Sequence, residues 1–328
     1  MEAGAMRVVR AIRLGDPEVL VLGQAPDPVA GPGQVVVDVA VAGISFVETQ
    51  IRRGIDRWHE RPQVPYVPGG LVAGLVRAVG DQVDAAWLGR RVVATTGETG
   101  GFAERALVPA ENLFLVPDGL GLPEATALYS DGSTAQGLTE HARIGPGDWV
   151  LVEAAAGGVG SLLVQLARAA GARVVGAARG RRKLDVVSEL GADAVVDYSE
   201  SGWAKRVLEA TGGAGPDVVF DGVGGEIGRA AFEVAARGGR FSVHGAASGE
   251  VTVIDPTEAS RRGVTVIGIE QLFDFGPHVR RWAERMMSQA AQGVVRPVIG
   301  QTFPLEAAAD AHAAVENRTA VGKTLLLV

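Results

Sequence analysis

The sequence predicts an α/β fold in which a doubly wound parallel sheet is inserted into a β-rich domain. Three observations carry this. From about residue 123 onward, short apolar strands alternate with helical stretches, and consecutive parallel strands require such crossovers. The first 120 or so residues are instead short apolar or alternating runs bounded by Gly and Pro, the pattern of antiparallel strands. At 328 residues the chain exceeds the size at which one core stops growing, so two domains are expected.

The early strands are MRVVRAIRL, GQVVVDVAV, LVAGLVRAV and RRVVATT, interrupted by one helix, SFVETQIRRG. LPEATALYSDGSTAQGLTEHA then reads as helical. Strand DWVLVEA, helix GVGSLLVQLARAAG, strand ARVVGAA, helix RRKLDVVSELG, strand ADAVVDY, helix WAKRVLEATG, strand PDVVFDGVG, helix GEIGRAAFEVAARGG and strands GRFSVHG and VTVIGI follow. Helices join the first five of these six strands, which is a Rossmann-like series. After residue 270 the rhythm stops. Helix HVRRWAERMMSQAAQG, strand-like RPVIGQTF, helix EAAADAHAAVENR and strand GKTLLLV are too few for a third domain. They are expected to complete the first, giving one domain of residues 1–124 plus 270–328 and another of 125–269.

Composition narrows the function. A net charge of −7 and the lack of a long basic tract argue against nucleic acid and anionic membrane as partners. The chain has no cysteine, so disulfides, thiolate metal sites and Cys nucleophiles are excluded. MEAGAMRVVR carries no apolar signal core, and no 18-residue apolar run occurs. A cytoplasmic protein acting on a small molecule is the expectation.

The stretch LVEAAAGGVGSLLVQLARAAGARVVGAARGRRK joins a strand, a glycine turn, a helix, a second strand and a basic knot. The turn Ala155, Ala156, Gly157, Gly158, Val159, Gly160 lacks the Cβ bulk that would hold a pyrophosphate off the backbone, and the helix after it offers N–H groups and a positive dipole end. Ala155 replaces the first glycine of G-x-G-x-x-G. The second strand ends in Arg179-Gly180-Arg181-Arg182-Lys183, with no acid until Asp185. An NAD site places a carboxylate here for the ribose hydroxyls, whereas guanidinium and ammonium groups attract a 2′-phosphate. NADPH is therefore the expected cofactor, with Arg179 and Lys183 as phosphate ligands. The alternative is a solvated, basic helix start.

The core AAAGGVG, the later PDVVFDGVGG and the ending RPVIGQTFPLEAAADAHAAVENRTAVGKTLLLV resemble the zinc-independent quinone oxidoreductases of the medium-chain dehydrogenase/reductase superfamily, over essentially the whole length. The resemblance implies a discontinuous GroES-like catalytic domain around the Rossmann domain, usually in a homodimer. It implies that Lys183, Tyr198 and Arg318 converge on the 2′-phosphate, and that Thr134 contacts the nicotinamide carboxamide. Val223, Gly224, His244 and Gly245 match stretches lining the cofactor. Tyr198 also reads as a half-buried strand-end residue, and Thr134 as a helix-surface one. Where zinc members carry their ligands, this chain has Ser45, Gly69-Gly70-Leu71 and Asp131. That set cannot build a tetrahedral N/S site, so no metal is expected.

Hydride transfer to a quinone or enone needs no protein nucleophile; it needs orientation, a donor for the developing oxyanion and exclusion of water. The family pattern NFxDxYxRxG reads here as Ser45-Phe46-Val47-Glu48-Thr49-Gln50-Ile51-Arg52-Arg53-Gly54. Asn, Asp and Tyr have become Ser45, Glu48 and Gln50. Ser45 and Gln50 are the candidate donors on this helix, and Ser45 is equally suited as an N-cap. Tyr129 is a third candidate, with packing as its other reading. A quinone acceptor is the first expectation. An NADPH-dependent reductase of activated C=C bonds, with Arg52, Arg53, Arg57 and Arg61 as a groove for a thioester carrier, and a non-catalytic NADPH-binding protein are the alternatives. A homodimer is expected through strand 264–269, the last of its sheet, because an unpaired apolar edge invites pairing.

Overall fold

Antiparallel strands open the chain. In this computed structural model, which describes residues 4–328, β1 (Ala5–Ala11) pairs with β2 (Leu20–Pro26). They are followed by β3 (Gln34–Ile44), α1 (Phe46–Arg53), β4 (Leu71–Val79), β5 (Arg91–Thr95), β6 (Arg105–Pro109), β7 (Leu113–Leu115) and α2 (Leu122–Ala127). β3 is the centre. It pairs antiparallel with β4 and β6, and its valines at 35, 36 and 37 are buried. β-branched side chains fill such a pleated surface well. Gly74 is required where β4 passes β3 at a bulge, since a Cβ there would lie 1.9 Å from the Asp38 carbonyl oxygen.

The chain then enters the parallel region. The elements are α3 (Ser133–Ala142), β8 (Trp149–Val152), α4 (Gly158–Ala169), β9 (Arg173–Ala178), α5 (Arg181–Glu189), β10 (Ala194–Asp197), α6 (Trp203–Ala210), β11 (Val218–Asp221), α7 (Gly225–Val234), β12 (Arg240–Val243), α8 (Pro256–Arg262), β13 (Thr265–Ile267) and α9 (Val279–Ala291). The sheet order is β10-β9-β8-β11-β12-β13, every pair parallel. The chain order reverses between β8 and β11, which defines the switch point of a doubly wound sheet. The expected strand series and fold class are thus present. One helix was missed in the sequence: α8, capped by the Asp255 carboxylate on the Thr257 N–H, supplies the crossover that a parallel β12–β13 pair needs.

The chain returns through β14 (Gln301–Pro304), α10 (Ala308–Glu316) and β15 (Thr324–Leu327), and β15 pairs with β3 in the first sheet. Two units result: residues up to Ser130 with Ile299–Val328, and Asp131–Val298. These limits differ from the expected 124/125 and 269/270. The reason is α9. Its Trp282 is buried over Gly137 of α3, where a Cβ would meet the indole at 2.6 Å, and Met286 packs on Gly132. Arg281 and Arg285 pair with Glu140 of the same α3. An apolar face and two ion pairs anchor α9 to the parallel unit. Among the described residues, no helix is long and apolar enough to cross a membrane.

Candidate functional site

In the parallel unit, β8 ends at Val152 and the backbone turns through Ala154, whose φ is +47°, into α4. Gly157 is the N-cap and makes no side-chain cap bond. Gly160 is held by close packing: a Cβ would lie 2.3 Å from the Ala154 carbonyl oxygen. Ala155 is buried, with its N–H on the Ala177 carbonyl of β9, so the residue replacing the first glycine is built into the sheet. Gly157, Gly158 and Val159 remain half-buried at the helix start. This is a glycine cradle of the kind that admits a phosphate. Asp131 takes one side of it. A Cβ at Gly158 would stand 1.9 Å from Asp131 Oδ2, so the carboxylate and the glycine are fitted to each other.

The basic run begins one residue beyond β9. Arg179, Arg181 and Arg182 are exposed and Lys183 is half-buried. Arg181 pairs with Asp185 one turn on. An acid does stand near this strand end, supplied by the neighbouring strand. Asp197 of β10 accepts the N–H of Gly180 at 2.8 Å and bonds the Ser199 N–H and hydroxyl. Those bonds and the Arg179 charge hold its carboxyl below the usual range against the opposing effect of burial. Tyr198, the next residue, meets Trp203 edge-on at 6.5 Å. Arg318 lies in the other unit, half-buried with φ +56°. Thr134 is half-buried in the first turn of α3.

At the switch point, Val223 is buried and Gly224 has φ +77°, with the Glu250 carbonyl 1.9 Å from where its Cβ would be. Asp221 Oδ1 accepts the N–H groups of both, at 3.0 and 2.7 Å. Gly245 approaches the Gly222 carbonyl closely. The His244 ring packs on Gly222, and burial lowers its pKa to about 4, so it is neutral at pH 7. Glu153, directly after β8, is fully buried. Burial and the adjacent Asp221 carboxyl push its pKa well up, opposed by the Val223 N–H.

In the antiparallel unit Ser45 is the N-cap of α1. Its N–H and hydroxyl both donate to Glu48 Oε2, at 2.7 and 3.1 Å, while Glu48 Oε1 accepts the Gly70 N–H at 3.0 Å. Burial raises the Glu48 pKa, and these donors with the buried Lys323 oppose the rise. Ser45 is thus capping residue and polar group at once. Gln50 donates to the Thr49 hydroxyl at 3.0 Å. Tyr129 meets Phe114 edge-on at 5.6 Å. Behind them, the buried Arg52 forms an ion pair with Glu316 of α10, which removes Arg52 from any surface groove. The three catalytic candidates lie in one unit and the cofactor candidates, Arg318 excepted, in the other. Ser45 and Gly69-Gly70 do not fit a zinc ion: the hydroxyl is engaged by Glu48, and glycine offers no side-chain donor. Among the described residues no three His, Asp or Glu side chains gather in a metal-binding group.

Sequence reasoning gave Glu48, Asp197 and the Glu153–Asp221 pair no role. The last left a signal: LVEAA and VVFDG each end an apolar strand on an acid.

Two known families match the two regions. The alcohol dehydrogenase GroES-like domain matches residues 31–118, and zinc-binding dehydrogenase matches 158–289. The chain is 33% identical to a mouse quinone oxidoreductase over 98% of each. The chain belongs to the quinone oxidoreductase family. This family is part of the medium-chain dehydrogenase/reductase superfamily, so the antiparallel unit is its GroES-like domain and the parallel unit its Rossmann-like domain. A 2-haloacrylate reductase of Burkholderia sp. is 32% identical, over 90% of this chain and 91% of its own. A mycobacterial protein solved with NADPH superposes with a TM-score of 0.89 at 32% identity, covering 98% of this chain and 100% of its own. Escherichia coli quinone oxidoreductase, also solved with NADPH, gives 0.88 at 27%, covering 99% and 100%. Within the quinone oxidoreductase family this chain is an oxidoreductase carrying Ser45, Glu48 and Gln50 on its first helix.

Proposed function

We propose that this oxidoreductase uses NADPH to reduce a quinone-type acceptor without a metal. The observation that carries the reading is the glycine cradle at α4 followed by the exposed cations after β9. Gly160 and Gly224 support the reading as positions where backbone packs too closely for a Cβ, 2.3 Å from the Ala154 and 1.9 Å from the Glu250 carbonyl oxygen, which keeps both turns tight. Ala155, Gly157, Gly158, Val159 and Gly160 form the pyrophosphate turn. Arg179 and Lys183, with Tyr198 and Arg318, take the 2′-phosphate. Thr134, Val223, Gly224, His244 and Gly245 line the remainder. When bound, NADPH supplies a hydride, and the acceptor gains negative charge on oxygen. Ser45, Gln50 and Tyr129 are the groups that orient the acceptor and donate to that oxygen. The Ser45 proton points to Glu48 in this structure, so Ser45 donates outward when Glu48 carries a proton.

NADPH oxidation against quinones, enones and crotonyl thioesters tests the reading. Turnover of quinones is expected. Tight NADPH binding with no acceptor turned over would overturn it in favour of a binding protein. The activated C=C reading has its own support, the 2-haloacrylate reductase relative, and preference for enones in the same panel would select it. The cofactor assignment has a separate test. Asp197 stands beside Gly180 and Arg179, so equal affinity for NADH and NADPH would mean that it outweighs Arg179 and Lys183. The dimer belongs to the same proposal. β13 is the sheet edge and Val266 on it is 38% exposed; a monomer in light scattering at micromolar concentration would refute it.

A further inference from the structure

Three titratable groups meet at the carboxyl ends of the central strands: Glu153 after β8, Asp221 closing β11 and His244 after β12. β8 and β11 are the neighbours between which the chain order reverses, and the crevice outside such a pair is where doubly wound sheets bind ligands. Glu153 and Asp221 have no exposed surface. A buried ion without a partner is strongly disfavoured. Yet among the described residues no hydrogen bond is made to either Glu153 oxygen or to Asp221 Oδ2, the Val223 N–H near Glu153 being spent on Asp221 Oδ1, and His244 beside them is held neutral by burial. The two residues are neighbours across the β8–β11 pair, where the Glu153 N–H bonds the Phe220 carbonyl at 3.0 Å, and the Asp221 carboxyl pushes the Glu153 pKa up. One proton between them pairs two of those three oxygens and removes one of the two buried charges.

We propose that Glu153 and Asp221 share a single proton, Glu153 donating to Asp221 Oδ2, and that the pair thereby fixes residues 222–224 in the form that receives the dinucleotide. The link is Asp221 itself. Its Oδ1 holds the N–H groups of Val223 and Gly224, so any swing of the carboxyl moves that loop. Room for a swing is small on one side. Oδ2 stands 2.5 Å from where a Cβ on Gly228 would be, beside Thr252 Oγ1. On the other side stands Glu153. Glu153 is a positioning residue in this account, acting on the cofactor through Asp221.

The proposal rests on the cofactor reading above, and the experiment separates the two failures. NADPH is titrated by fluorescence into the full-length wild type and into Glu153→Gln, Glu153→Ala and Glu153→Ala/Asp221→Asn. Gln keeps a donor facing Oδ2 and carries no charge, so affinity within about twofold of wild type is expected. Ala leaves Oδ2 buried and unpaired, and NADPH binding is expected to weaken roughly tenfold or more. The double variant, which removes the lone carboxylate, is expected to regain affinity. Unchanged affinity in Glu153→Ala, or equal loss in Glu153→Gln, would overturn the proposal. The infrared spectrum supplies a readout that packing alone does not move. The wild type is expected to show the carbonyl stretch of a protonated carboxylic acid, absent from Glu153→Gln. Its absence from the wild type would also overturn the proposal. Failure of the wild type to bind NADPH would count against the cofactor reading, and the infrared result would stand.

Discussion

Glu48 and Glu153 are both enclosed carboxyl groups beside glycine-rich backbone, and burial pushes both pKa values up. Their surroundings part them. Glu48 receives two backbone N–H groups and a hydroxyl, and Lys323 lies near. Glu153 faces another carboxyl. The first environment is built for an acceptor, the second for a donor. Burial alone does not assign a buried acid its role; the donors around it do.

The sharpest way to break this contrast is a matched substitution. Glu48→Gln keeps the shape but offers one acceptor oxygen where two are used, so either the Ser45 or the Gly70 N–H faces an amide NH₂. A loss of about 2 kcal/mol is expected from the stranded donor and weakened cap, and about 3 kcal/mol for Glu48→Ala. Glu153→Gln keeps the donor that faces Asp221 Oδ2 and is expected to stay within about 0.5 kcal/mol of wild type near pH 5, the range of an unremarkable substitution. Chemical denaturation reads both. Equal losses in the two variants would mean that the environments are equivalent.

A smaller effect, with a definite sign, comes from pH. In the unfolded chain Glu153 ionises near the ordinary glutamate value, while in the folded protein it holds its proton to higher pH. The folded state then binds more protons than the unfolded one, so stability falls as pH rises between those two values. Glu153→Gln removes that dependence. Its stability relative to wild type is expected to increase by on the order of 1 kcal/mol between pH 6 and 8, below the limit of about 1.4 kcal/mol per unit that one proton allows. Melting curves at several pH values test it; a constant difference, or one shrinking toward high pH, would mean that Glu153 is ionised in the fold.

Much of this was legible in the sequence, for reasons that differ by residue. The strand–helix rhythm from residue 149 to 243 is local and fixed the parallel sheet. The glycine turn was readable because Gly160 and Gly224 answer backbone contacts that no other residue permits. The unit boundaries were not readable. α9 belongs with α3 through Trp282 and Glu140, and such contacts between distant segments leave no periodicity. Asp197 was missed for a related reason. It approaches Gly180 because β10 pairs with β9, although 17 residues separate the two. Glu153 and Asp221 were visible as strand-end acids, but their adjacency follows from the sheet order alone.

The smallest effect bears on how tightly the acid pair is enclosed. Thr252 is buried, its hydroxyl has no partner, and it stands with Asp221 Oδ2 over Gly228. Beside Glu48 a hydroxyl such as that of Ser45 is put to use; beside Asp221, on the proposed proton sharing, the Thr252 hydroxyl is spare. Removing an unpaired buried hydroxyl without changing shape relieves its desolvation penalty. Thr252→Val is therefore expected to be neutral or stabilising by up to about 1 kcal/mol, with NADPH affinity unchanged. If it instead destabilises the protein and weakens NADPH binding, Thr252 is the donor to Oδ2. Asp221 would then be satisfied by a hydroxyl as Glu48 is, and the contrast between the two glutamates would narrow to the protonation of Glu153 alone.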